Sequence, residues 1–71
     1  MNDFNSIIGL WPSVAEFAVD LGIENSHAHA MKARNAITPR YWPALVNAAR
    51  RRKFSGVTYE ALALIAAKVA A

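Results

Sequence analysis

Ala18 and Gly22 lie four residues apart within residues 13–31, a segment whose pattern predicts two short helices joined by a tight turn. A small side chain at Ala18 lets a second helix cross closely, and Gly22 can adopt the left-handed conformation that ends a helix at Leu21. Apolar residues at helical spacing supply the buried contacts: Phe17, Leu21, Ile23, Ala28 and Met31. The spacing predicts a helix-turn-helix over about residues 13–35.

Helical patterns precede and follow this turn. The first helix is predicted from Asn2 or Asp3 to Leu10, because Pro12 stops it. Its apolar face consists of Phe4, Ile7, Ile8 and Trp11.

Capping signals mark the next two helices. Ser13 and Glu16 have the spacing of a capping box at the start of the second helix. The third helix is predicted from about Asn25 to Asn35, with Glu24 or Asn25 as its cap.

Two further helices are expected near the end of the chain. Thr38, with Pro39 at the first helical position, begins the fourth, which runs toward Arg52. Its buried face, against helices one and two, is expected to hold Trp42, Leu45, Val46 and Ala49. After a link over residues 54–58, Thr58 caps the last helix. Its apolar stripe is Leu62, Ile65, Ala66 and Val69.

Because no segment has a trustworthy strand pattern, we predict an all-α fold, a compact four- to five-helix domain spanning residues 1–71. At this size most apolar residues must be buried, and a hydrophobic fraction of 55% supports that. The chain has no cysteine, hence no disulfide or thiolate metal site, which fits a reducing cytoplasm. The first six residues predict no secretory signal, and the small-apolar run 61–67 is too short to cross a bilayer. We expect a cytoplasmic protein.

Charge is distributed unevenly along the chain. Four of the five acids precede Met31, whereas seven of the eight bases fall within residues 32–53, which hold no acid. Since neutralising phosphates releases counterions, a basic segment after a candidate recognition helix favours binding to double-stranded DNA. The alternative is a solvated charged face.

The third helix has two opposite sides. One is formed by Ala28, Met31 and Asn35, and the other is expected to face the major groove. The candidate base-contacting residues are Asn25, Ser26, His29, Ala30 and Ala33. The first three offer hydrogen bonds, and the alanine methyl groups can touch thymine methyl groups.

The flanks of the same helix carry candidate phosphate contacts. His27 and Arg34 project on one flank and Lys32 on the other, as clamping two DNA backbones requires. Arg40, at the start of the fourth helix, is a further candidate.

Other interpretations compete at several positions. His27 and His29 point to different sides of a helix without cysteine or carboxylate partners, so we expect no metal site and no cofactor. Asn25 is equally well explained as a helix cap. For residues 50–53, interaction with the helix C-terminus and plain solvation compete with DNA contact.

The motif from Ala18 to Gly22, then Arg34, the run Ile37-Thr-Pro39 and the run Tyr41-Trp-Pro43, resembles a known family. Over about residues 4–70 the chain is similar to the Cro and repressor proteins of the phage lambda-repressor-like helix-turn-helix superfamily. The resemblance implies a regulator that binds an operator as a homodimer and represses transcription.

By position, the resemblance assigns base reading to Asn25, Ser26 and His29. It assigns backbone contacts to Ser13, Arg34, Thr38 and Arg40. Two positions depart from the family pattern: Met31 stands where a tryptophan is common, and Val14 stands where a polar residue often supports the base contacts.

A different class of function also fits the sequence. The chain would then be a helical protein-interaction module, an antirepressor or adaptor, that uses its apolar last helix. Enzymatic activity is not expected, because neither a nucleophile nor an acid–base pair is evident.

Overall fold

Five α-helices and one short 3-10 helix make up the part of the chain that the computed structural model describes, residues 3–70, with side chains for residues 3–68. The helices are α1 (Phe4–Ile8), α2 (Val14–Leu21), α3 (Asn25–Arg34), α4 (Trp42–Arg51) and α5 (Tyr59–Ala70), and the 3-10 helix is Pro39–Tyr41. No strand occurs within residues 3–70. The predicted all-α class is confirmed. The possible helix start at Asn2 lies outside the described residues. Val69 of the last apolar stripe lies outside the described side chains.

Helix α1 begins as predicted but ends early. The Asp3 carboxylate accepts a hydrogen bond from the backbone N–H of Ser6 at 2.8 Å, as an N-cap does. The predicted end near Leu10 is wrong, because the helix stops at Ile8. The chain then tightens into i→i−3 hydrogen bonds, and Trp11 is buried beyond the helix end.

The predicted turn between α2 and α3 is present. Ser13 caps α2 by accepting from the Glu16 N–H at 3.2 Å, and Gly22 has a left-handed backbone with φ 70°. The N–H of Ile23 donates to the carbonyl of Ala18 at 3.0 Å, and the N–H of Gly22 donates to the carbonyl of Val19 at 3.1 Å. These two bonds satisfy carbonyls in the last turn of α2.

Helix α3 also ends in a left-handed residue. Glu24 occupies the N-cap position without a side-chain hydrogen bond, and Asn35 follows the helix with φ 52°. The Asn35 Oδ1 accepts from the backbone N–H of Asn5 at 3.0 Å. This bond attaches the end of α3 to α1.

The start of α4 differs from the prediction. A continuous helix from Pro39 was expected, but a 3-10 helix comes first and α4 begins at Trp42. A helix from Pro39 would place Pro43 in its interior, where a missing N–H and a ring clash break the i→i−4 pattern. Starting at Trp42 puts Pro43 in the first turn, where no N–H is needed. Thr38 makes no capping bond.

The core takes its largest fully buried side chains from all five helices. They are Ile7, Phe17, Met31, Leu45 and Leu62, one from each helix in order. Helix α2 packs against both α3 and α4, α1 packs against α3, and α5 packs against α4. Thr58 caps α5 as predicted, through a 3.1 Å bond from the Ala61 N–H. Helix α3 is thus held from behind by α1 and α2.

Replacing Gly22 tests the dependence of the fold on the turn. A Cβ at this position meets nothing within 4 Å, so Gly22→Ala adds only backbone strain at positive φ. We expect a loss of about 1 to 2 kcal/mol in the free energy of unfolding, measured by urea denaturation. Gly22→Asn is the matched variant and should lose less, because asparagine tolerates the left-handed region. Equal stability of Gly22→Ala and the parent would contradict this account.

Candidate nucleic-acid interface

Helix α3 places one side in the core and the other at the surface. Ala28 and Met31 are 0% and 2% exposed, respectively. Opposite them, Ser26, His29 and Ala33 are exposed and Ala30 is half-buried. Asn25 is exposed at the N-terminus of the helix. The five residues expected to contact bases therefore lie on the side of α3 that does not enter the core.

The residues expected to contact phosphates are distributed over three segments. On α3, Lys32 and Arg34 are exposed and His27 is half-buried. The others are exposed at the start of α2, before the 3-10 helix and within it, namely Ser13, Thr38 and Arg40.

Tyr41 brings two of these residues together. The rings of His27 and Tyr41 have centroids 5.3 Å apart and are nearly perpendicular. The guanidinium carbon of Arg40 lies 5.3 Å from the centroid of the same tyrosine ring. His27 and Arg40 are 13 positions apart in sequence, so this tertiary contact creates the cluster. The sequence predicts no role for Tyr41 itself.

The segment before α4 is fixed by a tryptophan. The indole N–H of Trp42 donates to the carbonyl of Ile37 at 2.9 Å, and Ile37 is buried. The 3-10 helix between them adds a bond from the Tyr41 N–H to the Thr38 carbonyl at 2.9 Å. Thr38 and Arg40 are therefore displayed on an internally bonded segment.

Arg52 differs from its basic neighbours because it is engaged within the fold. Its guanidinium donates to both carboxylate oxygens of Asp20 on α2 and lies 3.4 Å from Glu16. Asp20 also accepts from the indole N–H of Trp11 at 2.8 Å. Arg50, Arg51 and Lys53 are exposed. Within the run 50–53, Arg52 is half-buried and the other three bases are exposed.

This network shifts the proton affinity of both partners. Hydrogen bonds first from Arg52 and then from Trp11 lower the pKa of Asp20 below its ordinary value of 3.8. The hydrogen bond to Asp20, with a smaller contribution from Glu16, raises the pKa of Arg52. Both groups are charged at neutral pH, and they link α2 to the end of α4.

Trp11, which is buried, connects Asp20 to aromatic side chains of the core. Its ring lies edge to face against Phe17 at 5.1 Å and Phe54 at 5.0 Å between centroids. Aromatic pairs of this geometry are favourable beyond simple burial. Asp20 therefore binds a side chain that is itself held by α2 and by the link after α4.

Two further observations concern the described residues as a whole. No three histidine, cysteine, aspartate or glutamate side chains among residues 3–68 come together in a way that would hold a metal ion. Within residues 3–70, every helix is too short or too polar to cross a bilayer.

No protein-family model, curated protein or solved structure gives a significant match to this chain.

The carboxylate of Asp20 should make stability depend on pH. Because its pKa is lowered in the folded state, the stabilisation is present above about pH 4 and is lost as pH falls through the folded pKa. We expect Asp20→Asn to lose less stability than the parent between pH 5 and pH 2.5 in urea titrations. Some loss should remain in this variant, because the pKa of Asp3 is also lowered.

A second variant separates charge from hydrogen bonding at the same position. Asp20→Ala leaves the indole N–H of Trp11 without an acceptor and should cost about 2 kcal/mol at pH 7. Asp20→Asn retains an acceptor oxygen and should cost less. The same acid sensitivity in the parent and in Asp20→Asn would show that this ion pair does not govern the pH dependence.

Proposed function

We propose that this protein is a sequence-specific DNA-binding transcriptional regulator, a Cro-like repressor whose helix-turn-helix consists of α2, the turn at Gly22 and α3. The main observation behind the proposal is the exposed side of α3. Helix α3 buries Ala28 and Met31 and leaves Ser26, His29 and Ala33 exposed and Ala30 half-buried on the opposite side. A helix held from behind in this way can enter a major groove.

The dimensions and chemistry of this surface suit base contact. Ten residues of helix span about 15 Å, comparable with a major groove about 12 Å wide. Ser26, Ala30 and Ala33 add little bulk, so the helix backbone can approach the base edges. Asn25 and His29 then supply hydrogen-bonding groups, of which asparagine can pair with adenine through two bonds.

The charges around α3 suit contact with phosphates. Lys32 and Arg34 are exposed on opposite flanks of the helix, and Arg40 is exposed on the adjoining segment. Residues 25–53 contain no acid that would oppose a phosphate. Releasing counterions from DNA therefore favours binding at this surface.

The proposal includes a homodimer on a pseudo-palindromic operator, with two α3 helices about 34 Å apart. The candidate contact is the outer face of α5, where Leu64 is 72% exposed and Ala63 and Ala67 are exposed beside it. Glu60 and Lys68 lie one turn before and one turn after Leu64. Antiparallel pairing of two α5 helices about Leu64 places Glu60 of one copy opposite Lys68 of the other.

A protein-interaction module without DNA binding is the second candidate function. It is favoured by the same exposed Leu64, together with Tyr59, which is 50% exposed on the same helix. The basic side chains would then serve solubility. Retention on random-sequence duplex DNA at low salt, with steep loss as salt rises, supports the regulator, and no retention supports the module.

Mutations should separate base reading from phosphate contact. The preferred site of the parent is first selected from a random duplex pool. His29→Ala or Asn25→Ala should then lose roughly 1 to 3 kcal/mol of binding free energy for that site and prefer a different sequence. Arg34→Ala should instead weaken binding to all sequences alike and reduce the salt dependence. Ser55→Ala, at an exposed serine after α4, is the control and should bind like the parent. Unchanged sequence preference in both α3 variants would contradict the proposed groove face.

The dimer contact is tested by Leu64→Asp. A charge at the centre of the paired helices should raise the dimer dissociation constant about tenfold or more in analytical ultracentrifugation, because the apolar contact of a leucine is lost. Val19→Asp is the matched control, since Val19 is 78% exposed on α2. A monomeric parent, or equal effects of the two variants, would count against α5 as the interface.

A further inference from the structure

Tyr41 occupies the junction between the proposed recognition helix and the segment that follows it. Its ring is nearly perpendicular to the His27 ring of α3, with centroids 5.3 Å apart. The Arg40 guanidinium lies over the same ring, with its carbon 5.3 Å from the centroid. One half-buried phenol therefore contacts two side chains that were expected on other grounds to meet phosphates.

The backbone that carries Tyr41 is tied at several points. Tyr41 is the last residue of the 3-10 helix, and its N–H donates to the carbonyl of Thr38 at 2.9 Å. Trp42, the next residue, donates its indole N–H to the carbonyl of Ile37 at 2.9 Å. Pro39 fixes one further backbone angle. Tyr41 therefore has little freedom to leave its position beside α3.

The chemistry of the three side chains matches a phosphate diester. A guanidinium offers a planar fork of donors and an imidazole offers a ring N–H, while the tyrosine supplies the ring that both side chains contact. Within residues 3–68, the ion pairs are those of Arg52, and Arg40 has no carboxylate partner. Contact with the tyrosine ring limits the conformations that the long Arg40 side chain must give up on binding.

We propose that Tyr41 is a positioning residue that holds Arg40 and His27 together as a clamp on the DNA backbone beside α3. The proposal rests on the proposed function and deepens it. In this arrangement Arg40 makes its full contribution to binding only when the ring of Tyr41 is present. The effects of changing the two residues are therefore not additive.

A double-mutant cycle measures this coupling. The probe is a labelled random-sequence duplex, and its affinity for the full chain is measured by fluorescence anisotropy over a range of salt concentrations. Arg40→Ala should weaken binding about tenfold near 0.1 M salt and reduce the salt slope by about one, as loss of one phosphate contact predicts. In a Tyr41→Leu background, the same change should cost about twofold.

Two variants serve as controls. Tyr41→Phe retains the ring, so Arg40→Ala should again cost about tenfold in that background. Tyr59→Leu changes an exposed tyrosine at the start of α5 and should leave the effect of Arg40→Ala unchanged. If Tyr41 had only a structural role, Tyr41→Leu would not change the amount by which Arg40→Ala reduces the salt slope.

The failures of the two proposals are distinguishable. If the parent shows no salt-dependent duplex binding, both are overturned. If the parent binds but Arg40→Ala costs the same factor with Tyr41 and with Leu at position 41, the clamp is overturned and the proposed function stands.

A direct measurement covers the case in which Tyr41→Leu fails to fold, which circular dichroism reveals. In the parent, NMR signals of the Arg40 Nε–H and the His27 ring should both shift on adding duplex. Failure of either signal to shift overturns the clamp. If inorganic phosphate alone shifts both signals and the duplex does not, the cluster takes a free anion and the proposal is wrong.

Discussion

The turn at Gly22 is the constraint on which the surface of α3 depends. Its left-handed backbone lets the N–H groups of Gly22 and Ile23 donate hydrogen bonds to carbonyls in the last turn of α2, at 3.1 and 3.0 Å. A helix that leaves such a turn has its direction set within a few residues. Ala18, 2% exposed, adds a small side chain on the packed side of α2. With the crossing set, Ala28 and Met31 enter the core, and the opposite side of α3 remains at the surface.

The indole N–H groups of two tryptophans form hydrogen bonds that stabilise the framework of the fold. Trp11 donates to Asp20, and Trp42 donates to the carbonyl of Ile37, so each apolar ring has its N–H satisfied. Asp20 and Glu16 share Arg52, which pairs α2 acids with a base at the end of α4. The two acids of α2 thus meet a base within the fold, while the bases on α3 and the following segment are exposed.

Local chemistry made several features predictable and left others undetermined. Ser13, Thr58 and Gly22 act within a few residues of themselves, so their roles followed from spacing alone. The C-terminal end of α1 and the start of α4 did not follow from spacing, because α1 stops at Ile8 and a 3-10 helix precedes α4. Pro43 carried a usable signal for the second case, since its missing N–H is tolerated only in a first turn.

The amino-acid sequence by itself determined the helical class, the caps at Ser13, Gly22 and Thr58, and which side of α3 is buried, because these depend on neighbours within one or two turns. Tertiary structure alone decided that Arg52 is bound to Asp20 and that Tyr41 contacts His27. Each of these contacts joins residues far apart in the sequence, and it forms only after packing has fixed the helix crossings. The spacing of residues in the sequence does not fix helix crossings closely enough to predict a single side-chain hydrogen bond.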